Sequence, residues 1–215
     1  MNQITFFNIY QPVIISAWKQ AVNELVKTEV LKLGDAIEFY NGVLKIVPEN
    51  AIAWDEKGTV FYNLRKYDEA LKCYDTAIRI DPKNVFAWYN KGRVFGELFQ
   101  KYDEAMKFYE KAIEVNPRNV YGWIGKGTVF HHLKKYDEAI KYYDKTIEVN
   151  PNHTDPWRNK ALIFYDLKNY DDAIKCYDKA IEIDPNNYDA WHEEGNAFYD
   201  LKKYDDAIKC YKVLY

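Results

Sequence analysis

Three cysteines in 215 residues, Cys73, Cys176 and Cys210, are an odd number, and none sits in a CxxC or CxxxH spacing. Such a set does not build a disulfide framework, and a reducing cytoplasm is the expected location. Charge of one sign is also missing: 33 acids face 30 bases, a net charge of −3. A nucleic-acid groove needs clustered Lys and Arg to displace counterions, so no nucleic-acid partner is expected. No run of about 20 apolar residues spans a bilayer. The most apolar stretch, Ile4–Trp18, is interrupted by Pro12 and has no Lys or Arg before Lys19, so it reads neither as a signal peptide nor as a membrane span. HExxH, GxSxG and a phosphate-cradling glycine loop are all absent. No enzyme, cofactor or metal is expected. His131 and His132 are adjacent, about 100° apart on a helix, and do not converge on one ion.

Aromatic residues and periodicity are abundant. Aromatics make up 17% of the chain, with 20 tyrosines. Prolines at 48, 82, 117, 151 and 185 and tryptophans at 54, 88, 123, 157 and 191 share gaps of 34, 35, 34 and 34. A fixed period of this size marks a repeat architecture. In phase with it run Trp54, Gly58, Phe61, Tyr67, Ala70, Tyr74, Ala77 and Pro82, then Trp88, Gly92, Phe95, Tyr102, Ala105, Tyr109, Ala112 and Pro117. The third copy has Trp123, Gly127, Phe130, Tyr136, Ala139, Tyr143, Thr146 and Pro151, and the fourth has Ala161 in place of the glycine. The fifth runs from Trp191 through Gly195, Phe198, Tyr204 and Ala207 to Tyr211. The aromatics recur at helical spacing and form an apolar face, while Gly and Ala omit bulk where helices approach. Proline ends each helix and turns the chain. The one extra residue of the second copy is placed in the hairpin turn near Phe99.

This pattern resembles the tetratricopeptide repeat family over residues 51–215. The resemblance implies an all-α fold, a right-handed superhelical solenoid of antiparallel helix pairs. Its parts are an apolar N-terminal segment (1–16), a degenerate capping repeat (17–50), repeats at 51–84, 85–119, 120–153 and 154–187, and a truncated repeat (188–215). The family usually has Leu before the glycine. Here that position holds Lys57, Lys91, Lys126, Lys160 and finally Glu194, which predicts a shallower apolar seam with lysine stems laid along it.

In the family the first helix of each pair lines a concave groove. Around the invariant stripe the groove positions vary, and they include the aromatics Phe86, Tyr89, Tyr121 and Tyr165, Ile124, the pair His131 and His132, and a centre of Asn90, Arg93, Arg158 and Asn159. The acids Asp55, Glu56, Glu97, Asp155, Asp166, Asp189, Glu193 and Asp200 share this strip. The implied function is a scaffold for a protein or peptide partner. The ligand is an extended segment with basic and apolar side chains, an acid or C-terminus reaching the Arg/Asn centre. A family subset clamps chaperone C-termini with paired Lys and Asn, but of the matching positions Asp55, Thr59, Asn90, Tyr121 and Gly125 only Asn90 agrees. The alternative function is self-assembly: apolar ends, with Phe6 and Phe7 at one and Leu214 and Tyr215 at the other, stack copies into a homo-oligomer. The cysteines share one repeat position with Phe39, Phe108 and Tyr142 and read as packing residues.

Overall fold

A computed structural model describes residues 33–213, and every regular element in that range is helical. The calls on Phe6, Phe7, Leu214 and Tyr215, and on the first helix of the degenerate repeat, lie outside the described residues. The chain divides after Gln100 into two compact units. The first contains α1 (Leu33–Ile46), α2 (Ala51–Asn63), α3 (Tyr67–Ile80) and α4 (Val85–Arg93), which runs on into a π-helical stretch, Val94–Leu98. The second contains α5 (Tyr102–Val115), α6 (Val120–His132), α7 (Tyr136–Val149), α8 (Thr154–Asp166), α9 (Tyr170–Ile183), α10 (Tyr188–Asp200) and α11 (Tyr204–Lys212). Within each unit consecutive helices pack as hairpins. First helices also touch the first helix of the next pair, α2 with α4, α6 with α8 and α8 with α10.

The periodic residues are the core. Ala70, Ala105, Ala139, Ala173 and Ala207 are buried, as are Tyr74, Tyr109, Tyr143 and Tyr177. A Cβ placed on Gly127 would lie 2.5 Å from a ring carbon of Tyr143, and Gly58 and Gly195 meet Tyr74 and Tyr211 in the same way. The glycine is therefore the seat of the tyrosine ring. Thr146 takes the place of an alanine by donating its hydroxyl to the Tyr142 carbonyl one turn back, at 2.9 Å. The lysines before the glycine do not merely lie along the seam. Lys91 bonds Asp75 at 2.5 Å, Lys126 bonds Glu110 at 3.0 Å and Lys160 bonds Asp144 at 2.7 Å, each reaching back to the second helix of the preceding pair.

The linkers between pairs explain themselves chemically. Asp81, Asn116, Asn150 and Asp184 each accept a backbone N–H two residues on, around the following proline. The next asparagine then caps the incoming helix. Asn50, Asn84 and Asn187 accept from the N–H of Ala53, Ala87 and Ala190, and Asn119 from that of Tyr121. The indole N–H of Trp54, Trp88, Trp123 and Trp191 donates to the carbonyl of the proline six residues earlier at 2.9–3.0 Å. The start of α8 breaks both habits. His153 stands at the cap without a side-chain bond, Pro156 occupies the third helical position where it offers no N–H, and the buried Trp157 Nε1 has no partner. Restoring both halves of the cap with His153→Asn and Pro156→Ala is expected to add about 1 kcal/mol, read as a higher urea midpoint. A midpoint no higher than that of the parent would show that the capping bond contributes nothing there.

The hairpin turns within pairs use a left-handed residue that is never glycine: Arg65, Gln100, Lys134, Lys168 and Lys202, with φ of 52–61°. Their flanking amides close back on the helix, as in Arg65 N to the Tyr62 carbonyl and Lys66 N to the Phe61 carbonyl, both 2.9 Å. Gln100 takes the same conformation as its equivalents, so the extra residue of the second copy is not in the turn near Phe99. It sits inside the helix, where the wider winding of Val94–Leu98 absorbs it.

Candidate first-helix binding face

In the first unit the variable positions of α2 and α4 form a closed polar network. Asp55 and Glu56 are only 4% and 7% exposed, so they are not rim acids. The Asp55 carboxylate accepts from the Asn90 amide at 3.0 Å, and that amide also reaches the Thr59 hydroxyl at 3.5 Å. Tyr62 donates its hydroxyl to Glu97 at 2.7 Å. Arg93 bonds Glu97 at 3.2 Å and the Tyr62 hydroxyl at 3.2 Å. Its guanidinium lies 4.6 Å from the Tyr62 ring centroid and 5.8 Å from that of Tyr89. Burial and the bond to Glu97 push the Tyr62 phenol up to about 12. Phe86 is 44% exposed at the start of α4.

In the second unit α6, α8 and α10 carry the equivalent positions. His131 Nε2 lies 3.1 Å from Asp166. His132 stacks on Tyr102, ring centroids 6.2 Å apart, and on His131 at 6.3 Å. Tyr121 meets His153 edge-on, and Ile124, only 6% exposed, belongs to the packing. Tyr165 donates to Asp200 at 2.6 Å, a bond that, ahead of burial, pushes its phenol up to about 12. Arg158 bonds Asp189 at 2.8 Å and stands 3.9 Å from Glu193. Burial lifts the Glu193 carboxyl to about 7 against the pull of Arg158. Asn159 is half-buried beside them. Both arginines of the expected basic centre are thus held by acids of their own chain. Asp155, Asp166, Asp189 and Asp200 are exposed.

One regularity was missed from the sequence. The residue eight after Trp54, Trp123 and Trp157 bonds the acid nine after the next tryptophan, 35 positions on: Tyr62 to Glu97, His131 to Asp166 and Tyr165 to Asp200. The aromatic-or-His and acid columns were visible in the aligned copies. Their pairing crosses two repeats and is not read from one helix alone.

The cysteines are buried packing residues, and burial pushes the Cys73 and Cys176 thiols up to about 11. Among the described residues no three His, Cys, Asp or Glu side chains are grouped to hold a metal, and no helix is long and apolar enough to cross a membrane.

Tetratricopeptide repeat family models match residues 87–119, 120–153, 155–187 and 176–209, and a TPR repeat model matches 58–98. No curated protein sequence matches the chain. Among solved structures, the thermophilic TPR protein TTC0263 of Thermus thermophilus superposes with a TM-score of 0.73 at 18% identity, over 84% of this chain and 98% of that one. The APC/C hetero-tetramer Cut9–Hcn1 gives 0.72 at 18% identity, over 83% and 35%. YrrB, described as a TPR protein with an unusual peptide-binding site, gives 0.51 at 22% identity, over 81% and 89%. At these identities the likeness is one of fold.

Proposed function

The chain belongs to the tetratricopeptide repeat family, a fold of protein-interaction scaffolds, and from that premise we propose that the first-helix face of the second unit holds an extended, basic and partly apolar segment of a partner protein. The observation that carries this reading is the charge left over on α6, α8 and α10. Arg158 is engaged by Asp189 and Glu193, while Asp155, Asp166 and Asp200 stay exposed, Asp166 against His131 and Asp200 accepting from the Tyr165 hydroxyl, with the Tyr199 ring also exposed on α10. Lysine or arginine side chains answer the acids and apolar side chains answer the rings, the combination that concentrates binding energy at such surfaces. A ligand carboxylate fits less well, because it would have to displace Asp189 from Arg158. YrrB supports a peptide-holding use of this fold without assigning residues here.

Panning the full chain against a random peptide library tests the reading. Recovered peptides are expected to be net basic with interspersed apolar residues. Asp166→Asn with Asp200→Asn should weaken a recovered peptide about tenfold at low salt, and the gap should shrink as ionic strength rises. Recovery of uniformly acidic peptides would sink the proposal.

A further inference from the structure

Three of the junctions between pairs carry the same ion pair: a first-helix lysine bonded to an acid of the preceding second helix, in Asp75–Lys91, Glu110–Lys126 and Asp144–Lys160. At the α9–α10 junction the acid is present as Asp178, but the lysine position is Glu194. Two carboxyl groups therefore occupy the register of a salt bridge. Glu194 is 3% exposed. Its Oε2 accepts the Cys210 thiol of α11 at 3.2 Å, while its Oε1 is buried without a partner. Asp178 of α9 lies within hydrogen-bonding reach of the same carboxyl. Lys160 of α8, the equivalent lysine one repeat earlier, is bonded to Asp144 of α7.

The geometry has one self-consistent protonation. A neutral Glu194 donates its proton to Asp178 and accepts from Cys210, so each oxygen is used. An ionised Glu194 leaves an unsatisfied buried oxygen facing a second carboxylate, which is costly on both counts. We propose that the α9–α10 junction is a proton-controlled latch: a proton held between Glu194 and Asp178 seats the α10–α11 hairpin, and its release loosens that hairpin. The consequence reaches the first-helix face whatever that face holds, because the bonds Tyr165–Asp200 and Arg158–Asp189 cross the same junction.

Burial raises the Glu194 carboxyl to about 7 against the opposing effect of the Cys210 bond, and Asp178 adds smaller raising contributions. A carboxyl raised on folding stabilises the seated hairpin below its ordinary range, and that contribution drains away as pH climbs to about 7. Hydrogen exchange of the full chain, corrected for intrinsic rates, reads this directly. Amide protection in α10–α11 is expected to fall about tenfold relative to α6–α7 between pH 5.5 and 7.5. Glu194→Gln, which still donates to Asp178, should remove the larger part of the slope and, combined with Glu193→Gln, should flatten the profile. Glu194→Lys, which rebuilds the ion pair of the other junctions, should reduce the slope likewise and raise protection at pH 7.5. Glu193→Gln alone removes only the neighbouring raised carboxyl's own share and should leave a clear slope in place. A flat wild-type profile overturns the proposal. So does a slope undiminished in both Glu194 variants, or one abolished by Glu193→Gln alone.

Discussion

Tyr143→Ala is expected to lower the unfolding free energy by about 3–5 kcal/mol, the cost of emptying a fully buried aromatic site. Its ring is completely buried and is seated on Gly127, so its removal opens a void beside α6 that the rigid hairpin cannot close. Gly127→Leu is expected to cost about 1–3 kcal/mol for the opposite reason: even its first carbon would enter the ring, overpacking the contact. Combined, the two changes should cost less than their sum, because the leucine fills the space the tyrosine left. Urea unfolding of the two single variants and the double variant supplies the cycle. Strict additivity would mean that the glycine is not the tyrosine's seat.

Arg158→Ala is expected to destabilise by about 2 kcal/mol at pH 8 and by much less at pH 5. The arginine faces Asp189 and Glu193, and Glu193 Oε2 already lacks a bonding partner in its buried setting. Removing the cation strands that carboxylate. The full penalty for breaking a buried pair, about 3–5 kcal/mol, is reduced here because both side chains keep roughly a quarter of their surface in water. Burial raises the Glu193 carboxyl to about 7 and Arg158 opposes that rise, so without Arg158 the carboxyl climbs further. At pH 5 it is neutral in the variant and needs no partner, whereas at pH 8 its charge must be borne or the fold loosened. Unfolding free energies of variant and parent, compared at the two pH values, give the answer. Equal losses at both would place the effect in lost packing alone.

The Trp–Gly–Tyr–Ala stripe was legible because packing constrains volume, and volume is written directly in residue type: Gly127 is small because Tyr143 is large. Other features depend on partners that the linear pattern does not reveal. The left-handed turns fall on Arg65, Gln100, Lys134, Lys168 and Lys202, held in that conformation by their bonds and not by any preference of those residues. Asp55 and Glu56 read as groove acids by helical phase, but the Asn90 amide and the packing of α2 take them inside. The lysine column was noticed as a departure. Its meaning appeared only when acids of the preceding second helix were found at its tips. The loss of the α8 cap was written openly in His153 and Pro156, two residues that together remove the acceptor and the donor of one bond.

The π-helical stretch Val94–Leu98 also bears on how a tandem array can change at the level of the gene. One added codon inside a helix would ordinarily rotate everything beyond it by about 100°. Here the wide turn confines that rotation, and Gln100 still takes the conformation found at Arg65, Lys134, Lys168 and Lys202. The extra residue is therefore accommodated without disturbing the turn of the copy that holds it. Aligning the copies with the gap inside the helix, after Glu97, keeps Glu97 in the column of Asp166 and Asp200, the acids that make the same bond.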